Sequence, residues 1–372
     1  MRKHKGLVEG FVLGVVAVVT IALIVNGFGG LLPASPFGFS FGAFGFGTPG
    51  LGDLEQYQAM QRELDDPQAA GREPDAAPDG RTIAYVTYGQ AGDVLTLADI
   101  GGGAIRPLVD APDLDATLGG PDFSPDGTQL LYHVDPQTLG EASWSGDGDP
   151  RFLRANPPRP DLYIVPVVGG RPTRITTPEG SGGIQPVWSP DGRTIAYTCH
   201  FARDGAADVC LIEPDGSGFR ILTDTPEIGE GQPTWSPDGN SLAFVAVGPE
   251  VSSIEQVDLA TGRRTTLFED DHRGLADPAW SADGRTIATS SGVLAGSGTV
   301  CLRPILGGTT TCHQGAPGGD WATSWLPDGR VLFNGYVYAA SYGFMWVLDP
   351  ATGAADWFDP RQGLRDLPGE TR

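Results

Sequence analysis

Four cysteines are the residues of this 372-residue chain best placed to do chemistry, and they fall in two pairs of equal spacing, Cys199 with Cys210 and Cys301 with Cys312. The members of each pair lie on neighbouring extended runs, where Cβ atoms come within disulfide reach. A metal site is the rival reading, because Cys199 precedes His200 and Cys312 precedes His313. Adjacent residues of a strand point to opposite faces, so such a Cys and His do not converge on one ion. Two disulfides are therefore expected, each stabilising by about 3 kcal/mol in the chain-entropy model. They call for an oxidising compartment.

The remaining reactive side chains form no recognisable constellation. His133, His200, His272 and His313 stand at unrelated places relative to the surrounding sequence pattern, and "EGSGG" at 179–183 misses a Gly-x-Ser-x-Gly elbow by one position. The loop "SGDGDP" at 145–150 holds Asp147 and Asp149 among glycines and offers oxygen ligands to Ca²⁺, but it lacks the EF-hand pattern. A solvated acidic loop is its plainer reading. No other cofactor and no catalytic residue is expected.

Charge narrows the partners. Of 24 basic and 46 acidic residues, residues 1–52 hold only Arg2, Lys3, Lys5 and Glu9, leaving the rest of the chain at −24. Nucleic acid, which needs a basic stripe, is excluded as an expectation. Within that opening stretch "MRKHK" precedes the apolar run "GFVLGVVAVVTIALIV" at 10–25, extendable to Leu32. A helix needs about 20 apolar residues to cross a bilayer. A cleaved signal peptide is the competing reading, but its apolar region is usually shorter and "LPASP" is a poor cleavage site. The basic flank predicts a cytoplasmic N-terminus and an extracytoplasmic remainder. A Gly/Phe-rich linker, with "FGFSFGAFGFG" at 37–47, and a short amphipathic stalk helix at 53–66 follow.

What positions the remaining residues is a repeated phrase. "FSPDGTQLLY", "WSPDGRTIAY", "WSPDGNSLAF", "WSADGRTIAT" and "WLPDGRVLFN" start at 123, 188, 235, 280 and 325, and a worn copy, "AAPDGRTIAY", starts at 76. Proline presets φ, Asp bonds its own backbone and Gly accepts φ > 0, so each copy is a tight hairpin between two strands. The turn positions Pro78, Pro125, Pro190, Pro237, Ala282 and Pro327 are spaced by 47, 65, 47, 45 and 45 residues. That period belongs to a four-stranded propeller blade. The 65 carries an insertion, "EASWSGDGDPRFLRANPPRP" at 141–160. Two further strands follow each hairpin, as in "DVCLIEPDGSGFRILT" at 208–223. Phe123, Trp188, Trp235, Trp280 and Trp325 are expected as wedges between blades. The last repeat carries its own fourth strand, so the ring is expected to close by packing rather than by lending a strand.

The phrase W-S-P-D-G-x-x-I-A-Y, followed by "LYIV…GG…RIT", resembles the TolB-like six-bladed propeller family over residues 72–360. The resemblance implies an extracytoplasmic protein-interaction module. The expected layout is a basic tail at 1–9, a transmembrane anchor at 10–32, linker and stalk at 33–71, an all-β six-bladed propeller at 72–360 and a tail at 361–372. Propeller ligands usually meet the channel mouth, near the start of the innermost strands. The residues read just before those strands are Glu73, Gln185, Gln232, Asp277 and, one blade on, Asp320, which vary from blade to blade. Variation of polar residues at one repeated position is what a binding rim needs, and turn-exposed filler is the bland alternative. The expected function is binding or scaffolding of a protein or cell-envelope ligand, helped by the 141–160 insertion. The alternative is an envelope enzyme acting on a glycan or peptide at the same mouth.

Overall fold

The computed structural model describes residues 71–89, 92–103, 105–111, 116–136, 160–176, 182–200, 207–249, 251–270, 274–291, 299–313, 320–336, 343–361 and 363–365. The expected anchor at 10–32, the expected stalk helix at 53–66 and the loop of Asp147 and Asp149, with all of its insertion but Pro160, lie outside them. Among the described residues no helix is long and apolar enough to cross a membrane.

Six antiparallel sheets follow one another along the chain. Blade one is β1 (Arg72–Ala76), β2 (Thr82–Gly89), β3 (Gly92–Asp99) and β4 (Arg106–Asp110). Blade two is β5 (Ala116–Phe123), β6 (Gln129–Pro136), β7 (Asp161–Pro166) and β8 (Thr173–Arg174). Blade three is β9 (Gly183–Trp188), β10 (Ile195–His200), β11 (Ala207–Ile212) and β12 (Arg220–Ile221). Blade four is β13 (Gly229–Trp235), β14 (Ser241–Val247), β15 (Ser252–Asp258) and β16 (Arg264–Asp270). Blade five is β17 (Ala276–Trp280), β18 (Thr286–Ser291), β19 (Thr299–Pro304) and β20 (Thr311–His313). Blade six is β21 (Asp320–Trp325), β22 (Val331–Tyr336), β23 (Gly343–Leu348), β24 (Ala355–Asp359) and β25 (Gly363–Arg365).

Blade six thus has five strands, and residues expected as a tail supply the fifth. Among the described residues no strand is exchanged at the closure: β1 packs against β21, β22 and β23. A Cβ at Gly363 would lie 2.7 Å from the Gly101 carbonyl, so β25 also leans on the turn after β3. The glycine, at φ 80°, permits that approach.

The repeated phrase acts as its chemistry requires. In blades two to five the turn serine donates to the turn aspartate, at 2.7, 2.7, 2.6 and 2.7 Å for Ser124–Asp126, Ser189–Asp191, Ser236–Asp238 and Ser281–Asp283. These hydroxyls, with backbone N–H groups, hold the carboxyls below their ordinary range. Each turn glycine sits on the turn proline of the preceding blade: a Cβ at Gly127, Gly192, Gly239 or Gly284 would lie 3.8 to 3.9 Å from Pro78, Pro125, Pro190 or Pro237. Gly80 meets Pro327 in the same way and closes the circle. The break is at Gly329, which finds nothing in reach where Ala282 replaces proline.

The apolar core lies between blades, because each sheet must bury both faces against its neighbours. Leu131, Leu162 and Ile164 of blade two meet Trp188, Ile195 and Tyr197 of blade three. Ala196, Val209 and Leu211 of blade three meet Trp235, Leu242 and Phe244 of blade four. Ile83, Tyr85 and Ala98 meet Leu332, Met345 and Phe358 across the closure. The aromatic residues before the turns are the wedges of these layers. Two of them also donate indole N–H bonds to the preceding blade, Trp235 to Val187 O at 3.3 Å and Trp325 to Ala279 O at 2.9 Å.

Both disulfides are present, Cys199–Cys210 with Cα atoms 5.8 Å apart and Cys301–Cys312 at 4.0 Å. The first is diagonal, since Cys210 stands opposite Tyr197, while the second joins directly opposed residues of β19 and β20.

Candidate functional site

The innermost strands β1, β5, β9, β13, β17 and β21 surround a central cavity of about 700 Å³, lined by residues from all six blades. Each of these strands is bulged at the same place. The ladder skips between Arg72 and Asp75, Gly119 and Asp122, Ile184 and Val187, Gly231 and Thr234, Ala276 and Ala279, and Trp321 and Thr323. In five blades the cause is an x-Pro dipeptide: proline has no N–H to give the ladder. The residue before it takes positive φ, 50° at Glu73, 54° at Gly120, 53° at Gln185, 52° at Gln232 and 48° at Asp277.

Glu73, Gln185, Gln232 and Asp277 therefore lie inside the first strands, not ahead of them, and all four line the cavity. Asp320 does not belong to this register. It opens β21 opposite Gly335, and the bulged residue of blade six is Ala322. The equivalent in blade two, Gly120, was not among the expected rim residues.

The bulge turns the backbone N–H of each of these residues toward the preceding blade, where a side chain accepts it. Glu73 N–H bonds Asn334 Oδ1 at 3.3 Å, and Gly120 N–H bonds Glu73 Oε2 at 2.5 Å. Gln185 N–H reaches His133 Nδ1 at 3.4 Å, Gln232 N–H reaches Thr198 Oγ1 at 2.8 Å, and Asp277 N–H reaches Gln232 Oε1 at 3.0 Å. Gln232 Nε2 also donates to Asp277 Oδ1 at 2.8 Å, and Ser290 Oγ to Asp277 Oδ2 at 2.9 Å. The polar rim is thus a belt that ties the blades together as well as the lining of a cavity. His133, deep under this belt, is pushed down to about 3 by burial and by the charge of Arg72. It is neutral in the folded protein, as its acceptor role at Nδ1 requires.

One layer further along the strands stands a pair of acids that the sequence reading missed. Asp75 accepts from Phe123 N–H at 3.0 Å and from Ser324 Oγ at 2.8 Å, joining blades six, one and two. Asp122 accepts from Trp188 N–H at 2.6 Å. Burial raises Asp75 to about 6. Burial, and then the neighbouring Asp75 charge, raises Asp122 well above the usual carboxylate range. The cavity wall is asymmetric as a result. Arg72, Glu73, Asp75 and Asp122 occupy the side of blades one and two, while Ala279, Trp280, Thr323 and Trp325, with the single acid Asp277, occupy the side of blades five and six. Arg72 is paired with Glu73 and Asp93. Among the described residues no group of three or more His, Cys, Asp or Glu is arranged to hold a metal.

No protein-family model matches the chain. No curated protein matches it either. Among solved structures, two TolB proteins share its fold. TolB from Acinetobacter baumannii superposes with a TM-score of 0.58 at 19% identity, over 77% of this chain and 65% of that one. This chain therefore spans slightly less than two thirds of that protein's length. A putative TolB from Agrobacterium tumefaciens gives 0.54 at 20% identity, over 68% and 83% of the two chains. A chain of a nidogen/laminin complex gives 0.56 at 14% identity, over 77% of this chain and 97% of that one. At these identities the likeness is one of fold.

Proposed function

We propose that this chain is a single-pass, membrane-anchored protein whose propeller lies outside the cytoplasm and binds a protein or cell-envelope ligand at the mouth of its central channel. The observation that carries the binding reading is the cavity itself. Its wall is built from one repeated register whose residues change from blade to blade, while the turns and wedges around it stay the same. Function grafted on a fixed scaffold leaves that signature. The TolB-type fold fits a protein-binding module. Two disulfides fit an oxidising compartment. The apolar run at 10–32 and its basic flank fit an N-in anchor.

The test has two arms. Intact-mass measurement of the protein purified from its own membranes is expected to return the uncleaved chain; a mature N-terminus near residue 35 overturns the anchor. A pull-down with the ectodomain, run beside a Gln185→Arg variant and an outer-turn Val168→Arg variant, is expected to lose its partner only with the former. Equal recovery by both overturns the mouth as the site.

An envelope enzyme acting on a glycan or peptide at this mouth is the second reading. The Asp75–Asp122 pair favours it, because two carboxyls with raised pKa values in one cavity are a common acid–base arrangement. Turnover of cell-wall fragments that disappears in Asp122→Asn would establish it over binding alone.

A further inference from the structure

The outermost strands of blades two, three and five occupy the same place but are held differently. In blade two, Ile175 N–H bonds Leu162 O at 2.9 Å, and Ile175 is buried beside Leu162 and Ile164. The next residue, Thr176, accepts from Leu162 N–H at 3.2 Å and donates to Asp161 at 2.7 Å. Blade three repeats this anchor. Leu222 N–H bonds Val209 O at 2.8 Å, and Thr223 Oγ1 accepts from Val209 N–H at 2.9 Å and reaches Asp208 at 3.5 Å.

In blade five the register of β19 and β20 puts Thr299 in the place of the aspartate and His313 in the place of the aliphatic residue, and in sequence Gln314 follows where blades two and three have threonine. His313 is a poor substitute for Ile175 or Leu222, since its Nε2 is buried with no hydrogen-bond partner among the described residues. What this blade has instead is a covalent bond at the middle of its three-residue outer strand, where Cys312 stands opposite Cys301. The two disulfides also differ in access. Cys199 and Cys210 are both fully buried in the layer between blades two and three, whereas Cys312 is exposed on the outer strand.

We propose that Cys301–Cys312 is a reducible clasp: it replaces the aliphatic–threonine anchor of blades two and three, and its reduction releases β20 while the rest of the ring stays folded. The reaction is thiol–disulfide exchange with a dithiol. A thiolate of the dithiol attacks the sulfur of exposed Cys312, forming a mixed disulfide and expelling the Cys301 thiolate. The second thiol then closes the dithiol into its own disulfide and expels the Cys312 thiolate. Two electrons pass to the protein, the dithiol is oxidised, and its two protons end on the two cysteines. Release of β20 has a consequence beyond blade five. The His313 ring packs on the turn between β23 and β24, where a Cβ at Gly353 would lie 3.0 Å from it. The clasp therefore also holds the outer edge of blade five against blade six.

The experiment uses the full chain, purified without reductant and titrated with dithiothreitol. Free thiols are trapped with iodoacetamide and mapped by peptide mass spectrometry, and hydrogen exchange is read on the same samples. Cys301 and Cys312 are expected to label about tenfold faster than Cys199 and Cys210. Exchange at Thr311–His313 is expected to rise in step, with β8 and β12 unchanged. Equal labelling of the two pairs, or labelling without a rise in exchange, overturns the proposal. A second arm restores the anchor in the triple variant Thr299→Asp, His313→Leu, Gln314→Thr. Its outer strand is expected to stay protected after reduction, and fraying equal to that of the reduced parent also overturns the clasp.

Discussion

The seam between blades one and two and the seam between blades five and six are made by the same phrase, yet they are tied unequally. At the first, Asp75 accepts Phe123 N–H, Asp93 accepts Leu118 N–H at 3.0 Å, Glu73 accepts Gly120 N–H, and Pro78 sits under Gly127. At the second, Ala279 stands where Asp75 stands and has no side-chain acceptor, and Ala282 stands where proline would meet Gly329. Beside the apolar layer of Ala288, Val300 and Leu302 against Val331, Phe333 and Trp346, the ties of that seam are Thr323 Oγ1 donating to Asp277 O at 2.6 Å, the Trp325 indole bond and the outer strand held by Cys301–Cys312. A sequence repeat therefore fixes the geometry of every blade, while the strength of each seam depends on a few positions free to vary within it.

The comparison can be broken most forcefully at its stronger side. Phe123 is buried in the layer between blades one and two, so Phe123→Ala is expected to cost roughly 3–5 kcal/mol in urea unfolding. A loss below about 1 kcal/mol would show that the wedge is not what holds this seam.

Asp122→Asn is next in size and depends on pH. The raised folded-state pKa values of Asp75 and Asp122 mean that their contribution is fully present below about pH 4 and is lost as pH rises through the folded values, about 6 for Asp75. An asparagine keeps the acceptor for Trp188 N–H and removes one of the two charges. It is expected to stabilise by about 1–3 kcal/mol at pH 7.5 and to change little at pH 4.5. His133 works in the opposite sense: with its folded pKa depressed to about 3, its contribution is present above about pH 6.5 and lost as pH falls. A His133→Gln variant is therefore expected to hold its stability better than the parent between pH 6.5 and pH 4. Denaturant midpoints across that range check both.

Ser281→Ala removes the hydroxyl that donates to Asp283 and accepts from Thr286 N–H at 3.0 Å, with an expected cost of about 1 kcal/mol. The smallest effect sharpens the weaker seam. Ala282→Pro supplies the turn proline that five other blades have and is expected to add about 0.4–1 kcal/mol by thermal melting. The same substitution should lower hydrogen exchange in β21 more than in β5.

The fold was legible because its determinants are local. Each SPDG turn specifies a hairpin, each aromatic residue a wedge, and their spacing a blade. The mouth was legible only where proline marked it. In blade six Thr323 replaces the proline, the marker is missing, and Asp320 was read two residues away from the bulge at Ala322. Asp75 and Asp122 went unread because they stand immediately before the repeated phrase, at a position filled elsewhere by Val187, Thr234, Ala279 and Ser324. Two acids at a register otherwise small or apolar were the signal available. The polar partners on the second strands left a similar trace: His133, Thr198, Ser290 and Asn334 are polar where Val86 and Val245 are not. The fifth strand of blade six left none, since three residues after a turn carry no period.

The channel mouth as the binding surface is tested most directly by photo-crosslinking in the native membrane. A photoreactive residue is placed at Gln185, which lines the cavity, or at Val168, a 90% exposed position on an outer turn. A discrete crosslinked partner from position 185, absent from position 168, is the expected result. A partner captured from position 168 and not from 185 would contradict it.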